Sequence, residues 1–174
     1  MTKKLLREKY RNIRKNIDNK REKSIKMTEA FLKTEIYKNA QSIMLYYPME
    51  NEVNTLFLME TAIKDGKKIC FPKTDTEKHI IIPMEYESGF AKGAYGIYEP
   101  VSEKKMENCD VVITPALCVD SCNYRLGYGG GYYDRFFENY CGIKVTFIFS
   151  ELFTDALPKD KYDIKTDIVI TEKG

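Results

Sequence analysis

The stretch DVVITPALCVDSCNYRLGYGGGYYDRFFENYCGIKVTFIF, residues 110–149, decides the fold of this 174-residue chain. Two of its segments, DVVITPAL at 110–117 and VTFIF at 145–149, are short apolar runs of the kind that form buried strands. Between them, a glycine-rich loop leads into a predicted helix that begins near Gly131. A strand, a helix and a strand in this order predict two parallel strands of one sheet joined by a helical crossover.

The rest of the chain repeats this alternation. Further elements are predicted, in chain order, as a strand SIMLYYP at 42–48, a helix from the cap Asn54 through Asp65, and strands KICFP at 68–72, HIIIPMEY at 79–86 and DIVIT at 167–171. Strands that alternate with helices predict a single α/β domain over residues 1–174, with a mainly parallel sheet flanked by helices on both faces. Ligands of such sheets bind at the carboxyl ends of the strands.

The amino-terminal part carries two helical patterns. From Lys3 to about Lys20, apolar residues recur at steps of three or four, which predicts a helix with one buried stripe, at Leu6, Tyr10, Ile13 and Ile17. A second pattern runs from about Ser24 to Tyr37. Residues 1–26 carry 11 Lys/Arg against 3 Asp/Glu, although the whole chain is only +2. A basic segment of this kind suits the phosphates of a nucleotide, a nucleic acid or a membrane, and equally a solvated helix face.

Composition narrows the class of protein. With 43% hydrophobic and 31% charged residues, the chain suits one packed domain. The start is charged from Lys3 onward and no apolar run approaches about 18 residues, so a cytoplasmic protein that neither crosses a membrane nor is secreted is expected. The cysteines are odd in number and lack a CxxC pair, which predicts free thiols. Because His79 is the only histidine, histidine-based triads and multi-histidine zinc sites are nearly excluded.

The glycine-rich loop, Arg125–Asp134 with the sequence RLGYGGGYYD, is the segment most able to carry chemistry. Glycines before a helix leave backbone N–H groups uncovered, and such a run can wrap an anion. Arg125 adds a two-pronged phosphate donor, and Asp134 can hold Mg²⁺ beside a triphosphate. Tyr132 stands where the dinucleotide fingerprint needs glycine, and no GxxxxGK[ST] motif occurs. Two structural alternatives stay open: a tight turn for the loop, and a helix-start role for Asp134.

RLGYGGGYYDRF at 125–136 resembles the signature of the 5-formyltetrahydrofolate cyclo-ligases, also called methenyltetrahydrofolate synthetases. Other segments occur in that family's order, namely the basic start with Lys3 and Arg7, PMENEV at 48–53, YGIYEP at 95–100 and YDIKTDIVITE at 162–172. The resemblance implies conversion of 5-formyltetrahydrofolate to 5,10-methenyltetrahydrofolate, with ATP hydrolysed to ADP and phosphate in the presence of Mg²⁺. In the family's scheme the formyl oxygen is phosphorylated, N10 attacks the activated carbon, and phosphate leaves.

The resemblance also implies the site residues. The ATP contacts it implies are Lys3, Lys4, Arg7, Arg125, Leu126, Gly127, Tyr128, Gly129, Gly130, Gly131, Tyr132 and Tyr133, of which Arg125 and Tyr133 are also expected to be catalytic. The folate contacts are Tyr47, Glu52, Tyr95, Tyr128, Gly129, Gly130, Gly131 and Tyr132, and the metal ligands are Asp134 and Asp163. Glu52 would accept hydrogen bonds from pterin N–H groups. Tyr47 and Tyr95 would stack on a flat ring, and the family often has Trp where Tyr95 stands.

Two functions from other classes also fit parts of the pattern. A small nucleic-acid-binding domain would use the basic helix and stack tyrosines on exposed bases. A sugar-phosphate isomerase-like enzyme would hold a phosphate in the glycine-rich loop without ATP. The acidic balance of residues 27–174 and the buried stripe of the first helix argue against the nucleic-acid reading. The expectation is a monomer that binds 5-formyltetrahydrofolate and has no nucleic-acid or membrane partner.

Overall fold

The computed structural model describes residues 1–174. The helices are α1 Lys3–Lys15, α2 Lys20–Leu32, α3 Glu35–Asn39, α4 Leu56–Lys64 and α5 Tyr132–Phe137. The strands are β1 Ser42–Met44, β2 Lys68–Asp75, β3 Ile80–Glu85, β4 Phe90–Lys92, β5 Tyr98–Pro100, β6 Val111–Thr114, β7 Cys118–Asp120, β8 Arg125–Leu126, β9 Ile143–Phe147, β10 Phe153–Thr154 and β11 Ile168–Ile170. They form a six-stranded sheet, a three-stranded sheet and a two-stranded hairpin.

The six-stranded sheet has the order β11-β9-β6-β1-β2-β3. All its neighbouring strands run parallel except β2 and β3, which are antiparallel. Both predicted crossovers are present, because β1 pairs with β2 around α4 and β6 pairs with β9 around α5. The predicted mainly parallel sheet is therefore confirmed, with β3 as its antiparallel edge.

Helices cover both faces of this sheet, as predicted. Ile43 in β1 belongs to the larger apolar core, together with Phe31 of α2 and Leu58 of α4. Its neighbour Met44 belongs to a second core on the other side of the strand, together with Phe137 of α5. Each fully buried side chain of this size stabilises the fold by about 1.5–3 kcal/mol. Burial on both faces explains why the strands are continuous apolar runs rather than alternating ones.

The first helix is shorter than predicted. It ends at Lys15 rather than near Lys20, because Asn16 already departs from helical geometry and Asn19 adopts a positive φ of 56°. Asparagine tolerates this left-handed conformation better than most residues. Ile17, predicted to extend the helical stripe, is nevertheless buried in the core from the connecting turn.

The second helical pattern divides into two helices. α2 begins at Lys20 and ends at Leu32, where the pattern predicted one helix from about Ser24 to Tyr37. The side chain of Thr34 then accepts a hydrogen bond from the backbone N–H of Tyr37 at 3.2 Å and starts α3. A helix cap in the middle of the pattern therefore interrupts the periodicity.

Short elements outside the six-stranded sheet had no counterpart in the prediction. The hairpin β4–β5 is held against β2 by the buried carboxylate of Glu99, which accepts a hydrogen bond from the N–H of Thr74 at 2.9 Å. The hairpin tip carries Tyr95 with a φ of 56°. A three-stranded sheet of β10, β7 and β8 leads into the glycine-rich loop. These elements build the walls of the site described below.

All five cysteines are free, which confirms the prediction of unpaired thiols. No helix is long and apolar enough to pass through a lipid bilayer.

Candidate active site

The glycine-rich loop begins in β8, which pairs antiparallel with β7. Two of its glycines have backbone angles that other residues rarely adopt, since φ is 108° at Gly129 and 67° at Gly131. Gly131 is the residue that precedes α5, so the loop passes directly into the helical turn that carries Asp134. The conformation of the loop therefore favours glycine at these two positions, most strongly at Gly129.

Helix α1 brings two basic side chains to the loop and to the carboxyl-terminal segment. Arg7 Nε donates a hydrogen bond to the backbone oxygen of Gly127 at 2.9 Å. One helical turn earlier, Lys3 Nζ lies 2.5 Å from a carboxylate oxygen of Asp163 and 2.7 Å from one of Asp160. Burial lowers the pKa of Lys3, but the two carboxylates outweigh it and raise that pKa overall. α1 therefore contacts both the loop and the carboxyl-terminal segment, and each of them is more than a hundred residues away from α1 in sequence.

Arg125 lies beneath the loop rather than on its surface. Its side chain is 3% exposed, and one guanidinium nitrogen donates to Asp134 Oδ1 at 3.0 Å. The backbone N–H of Ile164 donates to the same oxygen at 3.2 Å. The guanidinium carbon lies 5.7 Å and 5.2 Å from the ring centres of Tyr133 and Phe137. Burial lowers the pKa of Arg125 and the charge of Asp134 opposes this, so the arginine stays charged.

A buried polar cluster joins the loop to the segment that follows β1. Tyr128 Oη donates a hydrogen bond to Glu52 Oε1, and the backbone N–H of Met49 donates to Glu52 Oε2 at 2.7 Å. Arg14 of α1 donates to Tyr128 Oη at 2.6 Å and lies 3.7 Å from Glu52 Oε1. Burial raises the pKa of Glu52, while Tyr128, Met49 and Arg14 lower it, and the balance is a raised pKa.

Aromatic side chains form one wall of the site. The ring of Tyr47 packs edge-on against Phe90, with 4.8 Å between ring centres, and lies tilted against Tyr98, with 4.9 Å between ring centres. At the tip of the same hairpin, Tyr95 is 70% exposed, and its hydroxyl lies 2.7 Å from that of Tyr132 in the loop. The hairpin β4–β5 therefore bridges from the end of β1 to the glycine-rich loop.

The two carboxylates predicted to bind a metal are each paired with a cation, Asp134 with Arg125 and Asp163 with Lys3. No group of three or more acidic, histidine or cysteine side chains is placed to hold a metal ion. Mg²⁺ is commonly bound by one or two carboxylates together with substrate phosphates and waters. The donor set therefore fits a metal that is bound jointly with a polyphosphate, and it does not fit a cage made by the protein alone.

The structure brings ten of the predicted site residues into five contacting pairs. Direct contacts join Lys3 to Asp163, Arg7 to Gly127, Tyr128 to Glu52, Arg125 to Asp134, and Tyr95 to Tyr132. Leu126 is buried in the core behind the loop, and Tyr47 belongs to the aromatic wall. Lys4 is exposed and makes no ion pair or hydrogen bond through its side chain, so its ATP contact stays a prediction. The catalytic roles of Arg125 and Tyr133 likewise stay predictions.

Three residues of this site, Arg14, Phe90 and Tyr98, were not predicted from the sequence. Arg14 is one of many basic residues in the first helix, and only its position seven residues after Arg7, which places both on one helix face, could have indicated a role. Phe90 and Tyr98 complete the aromatic wall, and they lie in three-residue strands too short to show a periodic pattern.

Comparisons with known proteins agree on one family. The sequence model of the 5-formyltetrahydrofolate cyclo-ligase family matches residues 1–172. The chain is 28% identical over 173 residues to a probable 5-formyltetrahydrofolate cyclo-ligase of Schizosaccharomyces pombe, covering 85% of this chain and 83% of the relative. The solved structure of the Aquifex aeolicus 5,10-methenyltetrahydrofolate synthetase is 30% identical, with a TM-score of 0.86 and coverage of 100% and 91%. That of Mycoplasma pneumoniae is 25% identical, with a TM-score of 0.79 and coverage of 99% of both chains.

Proposed function

The chain belongs to the 5-formyltetrahydrofolate cyclo-ligase family and is an enzyme, and we propose that it forms 5,10-methenyltetrahydrofolate from 5-formyltetrahydrofolate with hydrolysis of ATP in the presence of Mg²⁺. The observation that carries the proposal is the hydrogen bond between Tyr128 and Glu52. It joins the loop predicted to bind ATP to the carboxylate predicted to bind the folate. Direct phosphoryl transfer between two substrates requires that they are held side by side.

On the nucleotide side, α1 and the glycine-rich loop supply positive charge and backbone groups. Lys3 and Arg7 lie on one helix face, where Arg7 is hydrogen-bonded to the backbone of the loop and Lys3 is paired with Asp160 and Asp163. Phosphoryl transfer needs mainly positioning and stabilisation of charge, and these are what basic side chains and loop N–H groups provide. We assign binding of the ATP phosphates to this part of the site.

On the folate side, Glu52 is the hydrogen-bond acceptor. A carboxylate has about four acceptor positions, and the structure uses one on each oxygen, for Tyr128 and for Met49. The remaining positions suit the N–H groups of a pterin ring. Tyr47 and Tyr98 belong to the aromatic wall, on which a flat ring can stack.

Asp134 and Asp163 would hold the metal ion. When bound, Mg²⁺ would neutralise phosphate charge as the γ-phosphoryl group is transferred. Arg125 fixes the orientation of Asp134 from below, and Lys3 holds Asp163. Both carboxylates are therefore oriented by contacts with the protein.

The proposed reaction accounts for every atom. The formyl oxygen attacks the γ-phosphorus, and the bond from that phosphorus to the bridging oxygen breaks as ADP leaves. N10 then attacks the formyl carbon and loses its proton, and the bond from carbon to the phosphorylated oxygen breaks. The formyl oxygen therefore leaves as part of the inorganic phosphate. The site's part is to align the formyl oxygen with the phosphate and to exclude water.

Oxygen labelling tests this proposal. 5-Formyltetrahydrofolate labelled with ¹⁸O in the formyl group is converted with ATP and Mg²⁺, and the phosphate is analysed by mass spectrometry. The proposal predicts one ¹⁸O atom per phosphate and one ADP per methenyl product. Product formed without ATP, or label found in water instead of phosphate, would contradict it. A cytoplasmic location, a monomeric state and the lack of a nucleic-acid partner stay predictions.

A further inference from the structure

Arg14 is a buried charge that the proposed chemistry does not yet use. It lies in the last turn of α1, and only 7% of the residue is exposed. Its side chain reaches two residues of the proposed site, Tyr128 and Glu52, at 2.6 Å and 3.7 Å. Taking a guanidinium out of water costs free energy unless it is paired, so a buried arginine next to a buried carboxylate needs an explanation.

Hydrogen-bond chemistry fixes the direction of the contacts in this cluster. A guanidinium group can only donate, so the Tyr128 oxygen must accept from Arg14. The Tyr128 hydroxyl group then donates its own hydrogen bond to Glu52 Oε1. An ionised carboxylate accepts and does not donate, and both Glu52 oxygens receive donors here. This arrangement favours the charged form of Glu52 and opposes the effect of burial on this carboxylate.

Only a few charged or titratable side chains lie close enough to Glu52 to influence its charge. The side chains that face it are Arg14 from α1, Tyr128 and Tyr133 from the loop and α5, and Tyr46 after β1. Arg14 is the only cation among them. Burial raises the pKa of Glu52, and the positive charge of Arg14 is one of the contributions that lower it.

We propose that Arg14 is a positioning residue for folate binding, which directs the Tyr128 hydroxyl onto Glu52 and keeps that carboxylate charged and oriented towards the pterin. The inference rests on the proposed function, since it needs Glu52 to be the folate acceptor. It also makes Tyr128 a link between the nucleotide loop and the folate carboxylate, with its orientation set from α1.

The test compares Arg14→Met, Arg14→Lys and the control Arg11→Met, which removes an exposed arginine of the same helix. Steady-state kinetics are measured for both substrates across pH. Arg14→Met is expected to raise the KM for 5-formyltetrahydrofolate at neutral pH about tenfold or more, and to change the KM for ATP far less. The acid limb of kcat/KM for the folate is expected to move to higher pH, because Glu52 is then protonated more easily. Arg14→Lys keeps the charge and is expected to restore the position of that limb.

Tyr128→Phe provides a second variant if Arg14→Met fails to fold. It removes the donor to Glu52 without changing α1, and it is expected to move the acid limb in the same direction. Isothermal titration of each variant with 5-formyltetrahydrofolate without ATP should show the same loss of affinity. Folded variants with an unmoved acid limb, or with equal changes in both KM values, would overturn the role of Arg14. An inactive wild-type enzyme would instead overturn the proposed function.

Discussion

Lys3 and Asp163, 160 residues apart in sequence, form an ion pair of 2.5 Å. The cation is proposed to bind ATP phosphates and the carboxylate to bind the metal. Arg125 and Asp134 form a second pair of the same kind. Binding of a metal to Asp163 would therefore release Lys3 for the phosphates, and the two ligands should favour each other's binding.

Asp163→Asn should separate the effect of the Lys3–Asp163 ion pair on ATP binding from the effect of the metal on ATP binding. Without a metal, ATP should bind up to about fivefold more tightly than to the wild type, because Lys3 loses a competing carboxylate in a partly exposed ion pair. The increase in ATP affinity that Mg²⁺ causes in the wild type should be largely lost. Isothermal titration with and without Mg²⁺ measures both. Asp160→Asn is the matched control, since it also removes a partner of Lys3 but leaves the proposed metal ligand, and Mg²⁺ should still strengthen ATP binding to it.

Asp134 should affect stability and activity differently according to the replacement. Asp134→Ala leaves Arg125 without its partner and should lower the free energy of unfolding by about 1.5–3 kcal/mol. Asp134→Asn keeps an oxygen that accepts from Arg125 and Ile164, so its loss of stability should be smaller. Both should lose at least about a hundredfold in kcat. Urea unfolding and product formation measure the two effects, and a fully active Asp134→Asn would be inconsistent with a metal-binding role.

Gly129→Ala should weaken ATP binding beyond its effect on stability. A side chain at a φ of 108° is strained by about 1–3 kcal/mol, and the new Cβ would lie 3.4 Å from the guanidinium carbon of Arg7. Gly66→Ala is the matched control, because Gly66 also has a positive φ of 76° but lies after α4 with open space around it. Both variants should lose comparable stability in thermal melts. Only Gly129→Ala should show a higher Kd for ATP, and equal Kd values would argue against the loop as the nucleotide site.

Tyr95→Phe should loosen the contact between the hairpin and the loop. The hydroxyls of Tyr95 and Tyr132 are 2.7 Å apart, and losing an exposed hydrogen bond of this kind should raise the KM for the folate about two- to tenfold. Tyr132→Phe should have a similar effect, and the double variant should be little worse than either single one, because all three break the same bond. Additive effects in this cycle would show that the two hydroxyls act independently.

Much of the fold follows from patterns that report burial. Apolar runs predicted the parallel strands because both faces of this sheet are covered by helices. The run SIMLYYP at 42–48 is one example. Its ladder of paired residues ends at Met44, yet Leu45 and Tyr46 remain buried. An apolar run indicates what is buried and does not tell where hydrogen bonding to the next strand stops. The strands of the β4–β5 hairpin could not be predicted from the sequence, because three residues are too few to show a periodic pattern.

The sequence predicts the part of the site that lies within one motif. It does not predict the part that depends on contacts between distant segments. The glycine-rich loop, with Arg125 and Asp134, stands out in sequence because four of the five residues at 127–131 are glycine. Arg14 does not stand out, because one arginine among the many basic residues of α1 gains its meaning only from Glu52 on a distant segment. The pairing of Lys3 with Asp163 is hidden in the same way.

The most direct test is the near-ultraviolet absorbance of 5,10-methenyltetrahydrofolate when purified protein is mixed with 5-formyltetrahydrofolate, ATP and Mg²⁺. The account predicts an increase in absorbance that requires ATP, is absent when ATP is omitted, and is nearly abolished by Asp134→Asn. A folded wild-type protein that forms no product under these conditions would contradict the proposed function.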